Sequence, residues 1–270
     1  MIPSAPRQAG GALSRLLATL LLLLPLPASA AELHVASSGG FAAAYKALAP
    51  EFEKRTGHKL VSAWGPSMGD TPEAIPNRLH RDEDIDVVIM VGDSLEGLVH
   101  EGEVIDEGHH VLALSKIGMA VKAGAPRPDI SSVAALKQTL LSARSIAYSD
   151  SASGVFLSTV LFPRLGIADA MKGKARMIPA EPVGRVVARG EAEIGFQQIS
   201  ELLPVPGIDL VGALPDAAQK VTPFSVGIVA ATKEKQAADE LVAFLSSTDA
   251  APLIIQSGLE PASTARHSGS

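Results

Sequence analysis

The chain has 270 residues, 47% hydrophobic and 19% charged, with a formal net charge of −6 and no cysteine. Without cysteine there are no disulfides, thiol nucleophiles, thiolate metal sites or iron–sulfur clusters. The acidic balance argues against nucleic acid or an anionic membrane as partner.

The chain opens with Arg7 and Arg15 and no acid before Glu32, followed by a leucine-rich run from Leu16 to Leu24, Pro25, Pro27 and Ala28-Ser29-Ala30. This is the pattern of a secretory signal peptide over residues 1–30, with cleavage near Ala30/Ala31 and export to the periplasm expected. Losing two arginines and no acid takes the net charge from −6 to −8 and leaves about 240 residues, enough for one large or two small domains. No later stretch approaches the roughly 18 consecutive apolar residues of a membrane span, so no membrane insertion is expected after signal removal.

Leu33, Val35 and Ser37 alternate with His34, Ala36 and Ser38, the pattern of a first strand. It ends in the turn Ser37-Ser38-Gly39-Gly40 and passes at once into a helix. That helix carries Phe41, Ala44, Tyr45, Leu48 and Phe52 on one face and closes at Gly57. Two hydroxyls and two glycines at a helix N-terminus make a turn able to hold an anion. The turn matches neither the phosphate-loop nor the dinucleotide pattern, and a plain serine-capped loop is the alternative.

Lys59–Trp64 reads as a second strand, and Gly65-Pro66-Ser67-Met68-Gly69 as a turn before a helix over 74–79. Ile85–Val91 has the continuous apolar character of a buried parallel strand, and Gly92-Asp93-Ser94 opens another helix. Three such strand-to-helix turns in succession predict a doubly wound α/β sheet with its ligand edge at the strand carboxyl ends. Further strands are expected at 117–121, 145–148, 176–178, 194–197 and 222–231, with helices at 155–165, 182–189 and 236–246. The turn Ser149-Asp150-Ser151-Ala152-Ser153-Gly154 repeats the small hydroxylic theme in the second half.

Two motifs are set aside. Gly92-Asp93-Ser94-Leu95 with Asp106 and His109 resembles a serine hydrolase signature, but in that family the serine follows the first strand and the histidine lies near the C-terminus. The seven histidines show no metal-ligand spacing, so no metal and no cofactor is expected.

The runs ASSGG after the first strand, WGPSMG after the second, DIDVVIMVGD, YSDSASG and PAEPVGRVVARGEAEIGFQQ are together similar to the periplasmic molybdate-binding family. The resemblance covers essentially all of residues 31–260. It implies a two-lobed type II periplasmic binding fold, two doubly wound sheets joined by two crossing strands, with an anion held in the cleft. Lobe 1 would comprise 31–115 plus 225–262, lobe 2 residues 116–224, and 263–270 a flexible tail. Carried over to this chain, Ser38 and Ser67 would supply hydroxyls, and Ala152 or Ser153 and Val183 backbone N–H groups. Gln198 stands where that family has a tyrosine donor. An amide also offers an acceptor, and Asp150 brings negative charge to the same turn, so both argue against a tetrahedral oxyanion.

The whole set of motifs is more similar to the aconitate isomerases, enzymes built on this scaffold. That resemblance implies a tricarboxylate substrate and a 1,3-allylic proton shift between cis- and trans-aconitate. The chemistry requires a base, donors for a carboxylate gaining enediolate character, and a proton returned two carbons away. Asp150 is the expected base, because a closing cleft with apolar walls can raise the pKa of a carboxylate toward neutrality, with Glu181 in reserve. Helix ends contribute only about 0.3–1 kcal/mol each when exposed, so a cation is wanted, and Arg185 and Arg164 are the candidates. Ser37, Gly39 and Ser151 complete the two turns, Trp64 and Met68 an apolar wall, and one at most of Gln197 and Gln198 meets the ligand. The alternative function is a non-catalytic binding protein for molybdate-like oxyanions or small carboxylates, partnered by an ABC permease and its ATPase.

Overall fold

The computed structural model describes residues 1–2, 30–179 and 181–262. The expected signal peptide, apart from its ends, and the expected tail at 263–270 lie outside these residues.

The first half runs β1 (Glu32–Ser37), α1 (Gly39–Thr56), β2 (Lys59–Trp64), α2 (Ile75–Leu79), β3 (Val87–Val91), α3 (Gly92–Glu101) and β4 (His110–Ser115). A single residue, Lys116, then separates β4 from β5 (Ile117–Lys122), which belongs to a different sheet. The chain continues through α4 (Val133–Ser142), β6 (Ile146–Ser149), α5 (Ala152–Phe156), a π turn (Leu157–Leu161), α6 (Phe162–Arg164), α7 (Ala168–Met171) and β7 (Ala175–Ile178). Next come α8 (Val183–Ala188), β8 (Ile194–Gln198), α9 (Ile199–Leu202) and β9 (Ile208–Ala213). It returns to the first sheet as β10 (Thr222–Ile228) and ends with α10 (Lys235–Leu245), α11 (Ala251–Gln256) and β11 (Glu260–Pro261).

The first sheet has the strand order β11, β4, β10, β3, β1, β2, with β1 parallel to β2 and β3 and with β10 antiparallel to β3 and β4. The second has the order β7, β6, β8, β5, β9, with β6 parallel to β7 and β8 and with β5 antiparallel to β8 and β9. Each sheet carries buried apolar clusters on both faces, which is why β3 reads as an uninterrupted apolar run and is buried at every position. Helix α1 buries Phe41, Ala44, Tyr45, Leu48 and Phe52 against the first sheet, and Gly57 caps it at φ +80°.

The two crossings sit side by side. Ser115, the last residue of β4, is in register with Thr222, the first of β10. Gln198 joins them: its Oε1 accepts from Ser115 Oγ at 2.8 Å, and its Nε2 donates to Thr222 Oγ1 at 3.3 Å.

Four departures from the sequence expectations have local causes. The helix expected at 155–165 begins at Ala152 and includes the π turn. Ser153 and Gly154, which read as turn residues, form its first turn against β6, where a Cβ on Gly154 would lie 1.6 Å from the Ser149 carbonyl oxygen. The strand expected over 222–231 stops at Ile228. Strands β4, β9 and β11 and helices α4, α7 and α9 went unpredicted; β9 is half-buried throughout except at its exposed last residue, Ala213, and has no clean alternation. Among the described residues no helix is long and apolar enough to cross a membrane.

Candidate active site

The carboxyl ends of β1, β2 and β3 from one sheet and of β6 and β8 from the other open onto one cavity of about 340 Å³. This is the edge that a doubly wound topology assigns to ligands. Its walls include Ser38, Gly39, Ser67, Met68, Asp150, Ser151, Ala152 and Gln198, so eight of the predicted site residues converge.

Ser38 holds the N-cap position of α1 in an extended conformation, yet its side chain makes no capping bond. The residue is 3% exposed, and among the described residues its Oγ is the one buried side-chain oxygen without a hydrogen-bond partner. Leaving a buried hydroxyl unpaired costs about 1–3 kcal/mol. The serine-capped loop considered above is therefore not what forms. Ser38 lines the cavity beside the first-turn N–H groups that a helix leaves unpaired.

Ser67, in the turn after β2, accepts from the Val91 N–H at 3.0 Å. Its own hydrogen remains available to donate. Across the cleft, Ser151 forms the N-cap of α5, again without a capping bond, and shares a serine chain in which Ser149 Oγ lies 2.9 Å from both Ser151 Oγ and Ser153 Oγ. Trp64 forms one wall. Its ring meets Tyr45 edge-on at 5.9 Å and carries Lys46 Nζ 4.6 Å from its centroid.

Three acids share this cavity: Asp150, Glu181 and Glu201. Glu181 is held by Arg189 through two bonds of 3.1 and 3.0 Å, which keep its carboxyl below the usual range. So held, it makes a poor base, and the reserve role expected for it does not fit. Glu201 is the residue that sequence reasoning missed. It stands in α9, directly after the carboxyl end of β8, and a Cβ on Gly39 would lie 2.3 Å from its Oε1. Only glycine at position 39 lets the carboxylate reach the start of α1. Burial, and to a lesser extent the charge of Asp150, push Glu201 up to about 7, against hydrogen bonds from the Gln197 side chain and the Gln198 backbone.

Other expected residues lie elsewhere. Ser37 is fully buried behind Ser38, with Oγ 3.3 Å from the Ser38 carbonyl oxygen. Ser153 is buried under Ser149 rather than lining the cavity. The Val183 N–H is occupied by Gln197 Oε1 at 2.9 Å. Arg164 stacks over Phe156 and donates to the Ala217 carbonyl, away from the cleft. Arg185 lines an adjoining depression with Lys46, separated from the main cavity by Gly39, Pro182, Gln197 and Glu201. Gln197 and Gln198 both reach the cavity wall, because the strand ends there and Gln198 turns to become the N-cap of α9. The amide of Gln198 is nevertheless engaged at the crossing strands. Among the described residues no group of three or more His, Asp or Glu is arranged to hold a metal ion.

A family model described as bacterial extracellular solute-binding protein matches residues 33–260. The chain belongs to this solute-binding family. It is 54% identical over 261 residues to an aconitate isomerase from Pseudomonas sp, spanning 97% of this chain and 98% of that one. It is 28% identical over 184 residues to the molybdate-binding protein of Azotobacter vinelandii, 67% of this chain and 69% of that one. The solved periplasmic molybdate-binding protein of Azotobacter vinelandii superimposes with a TM-score of 0.69 at 21% identity, covering 84% of this chain and 98% of the other. The two mixed sheets are thus those of the solute-binding fold.

Proposed function

We propose that this solute-binding chain is a periplasmic aconitate isomerase that interconverts cis- and trans-aconitate by a 1,3-allylic proton shift in the cleft between the sheets. One observation carries the reading: Ser38, whose buried hydroxyl is unpaired, lines the same cavity as the carboxyl-bearing residues Asp150 and Glu201. A site that only carries an anion needs donors; a site that moves protons needs donors and titratable acids together. The full-length likeness to an aconitate isomerase points the same way.

In this reading Ser38, Ser67 and Ser151 donate to substrate carboxylates, and the first turn of α1 adds backbone N–H groups and the positive end of the helix dipole. Lys46 and Arg185, in the adjoining depression, supply the cationic field that helix ends alone lack. Asp150 takes a methylene proton. The C–H electron pair becomes the new C=C bond, and the former double bond receives a proton two carbons away, so no redox partner is required. Residues 31–115 with 225–262, and 116–224, act as two lobes that close by bending at Ser115, Gln198 and Thr222.

The test is an isomerase assay on the purified mature protein, followed by Asp150→Asn. Absence of turnover in the parent protein refutes the enzyme reading, and full turnover in D150N refutes the base. A second reading, an oxyanion carrier with an ABC permease as partner, draws on the likeness to the molybdate-binding protein. Thermal stabilisation by molybdate but not by trans-aconitate is the result that favours it.

A further inference from the structure

We infer that Glu201 is the second proton-transfer group of this cavity, the acid that delivers a proton to the carbon two positions from the one Asp150 deprotonates. The inference rests on the isomerase reading. An allylic shift takes a proton from one carbon and returns one to another. A single carboxylate does both only by swinging across the conjugated plane, whereas two carboxyl groups at different points of the wall do so in place.

The geometry supplies such a pair. Asp150 comes from the turn between β6 and α5, and Glu201 from α9 after β8, and both line the cavity. Glu201 is not free to swing: the Gln197 amide and the Gln198 N–H hold it, and its carboxyl abuts Gly39 at the head of α1. Gln197 is fixed in turn by the Val183 N–H on its Oε1. The charged residues that line the cavity or the adjoining depression together with Glu201 are Asp150, Glu181 from the segment before α8, Lys46 from α1 and Arg185 from α8. Glu181 is paired with Arg189, and burial together with the charge of Asp150 disfavours the ionised form of Glu201. In the proposed step one carboxyl group serves as base and the other as acid.

In the forward step the Asp150 carboxylate accepts H⁺ from the methylene carbon and the Glu201 carboxyl gives H⁺ to the former vinyl carbon. Glu201 ends as carboxylate and Asp150 as acid, and in the reverse step the roles exchange. Between turnovers the proton returns through water.

The test uses the full mature protein with trans-aconitate. In D₂O the parent enzyme is expected to place solvent deuterium at the newly formed C–H bond in every turnover, because the removed and delivered protons belong to different groups. Glu201→Gln is expected to lower kcat by about 10²–10⁴-fold with KM little changed, and to keep the thermal stabilisation by trans-aconitate. Glu201→Asp recovers part of the rate. Transfer of the substrate hydrogen to the product in D₂O overturns the inference, as does turnover in E201Q within about fivefold of the parent. The isotope measurement needs no variant, so a misfolded E201Q does not shield the inference. A parent protein that does not isomerise aconitate removes the functional reading itself, and this inference with it.

Discussion

Replacing Ser38 with alanine separates what a residue does for the ligand from what it does for the fold. Its hydroxyl is buried, caps no helix N–H and has no partner. A methyl group of nearly the same shape therefore relieves a desolvation cost of about 1–3 kcal/mol in the ligand-free protein. For a chain of this size that raises Tm by about 2–4 °C per kcal/mol. In the complex the same change removes a hydrogen bond to a carboxylate, worth about 1.5–3 kcal/mol, and weakens binding roughly 10- to 150-fold. Thermal melts of S38A with and without trans-aconitate, together with KM, measure both effects. They are expected to have opposite signs: a more stable empty protein and a weaker complex. A lower Tm in the empty S38A protein would mean that the hydroxyl serves the fold, and unchanged KM would mean that it does not meet the substrate; either result refutes the placement of the anion.

Glu201 gives a pH signature. Its folded pKa of about 7 lies above the ordinary carboxyl value, so its contribution to stability is complete near pH 4.5 and is lost as pH rises through 7; melts of parent and E201Q between pH 4.5 and 8 are expected to show a flatter profile in the variant. Lys46→Gln and Arg185→Gln remove exposed cations beside the cavity, for which up to about fivefold higher KM each, smaller at high salt and with kcat retained, is expected from steady-state kinetics. Gln198→Ala orphans the hydroxyls of Ser115 and Thr222 at the crossing strands; a destabilisation of about 1–3 kcal/mol follows, read as a drop in Tm.

How much of this was legible in the sequence depends on whether a residue's role is local. The turns Ser37 to Gly40 and Ser149 to Gly154, the face of α1 and the buried run of β3 are local patterns, and the doubly wound α/β character followed from them, whereas the division into two sheets came from the resemblance to the molybdate-binding family. The edge strand β9 was invisible because it is half-buried on both faces except at its last residue and carries no alternation. Strand β4, with exposed and buried residues mixed, was missed for a related reason. At the cavity, Ser38 and Ser67 were legible from the strand-to-turn pattern, whereas the occupation of the Val183 N–H by Gln197 is a tertiary event that no spacing announces. Glu201 did leave a signal. Gln197-Gln198-Ile199-Ser200-Glu201 is another strand end followed by a small hydroxylic turn, and the carboxyl-edge rule applied once more would have put that acid on the ligand side.

The chemistry of the cavity wall also explains how a binding fold can host proton transfer. Three carboxyl groups around a site for a polyanion would normally repel it. Here Arg189 cancels one of them, Glu181, outside the cavity wall. Burial and Asp150 together favour a proton on another, Glu201, which in the proposed mechanism presents an O–H instead of a charge. In the proposed mechanism Asp150 and Glu201 then serve the substrate as one proton acceptor and one proton donor. In that mechanism the binding fold needs no added element for proton transfer, since glycine at position 39 leaves the Glu201 carboxyl room beside the head of α1.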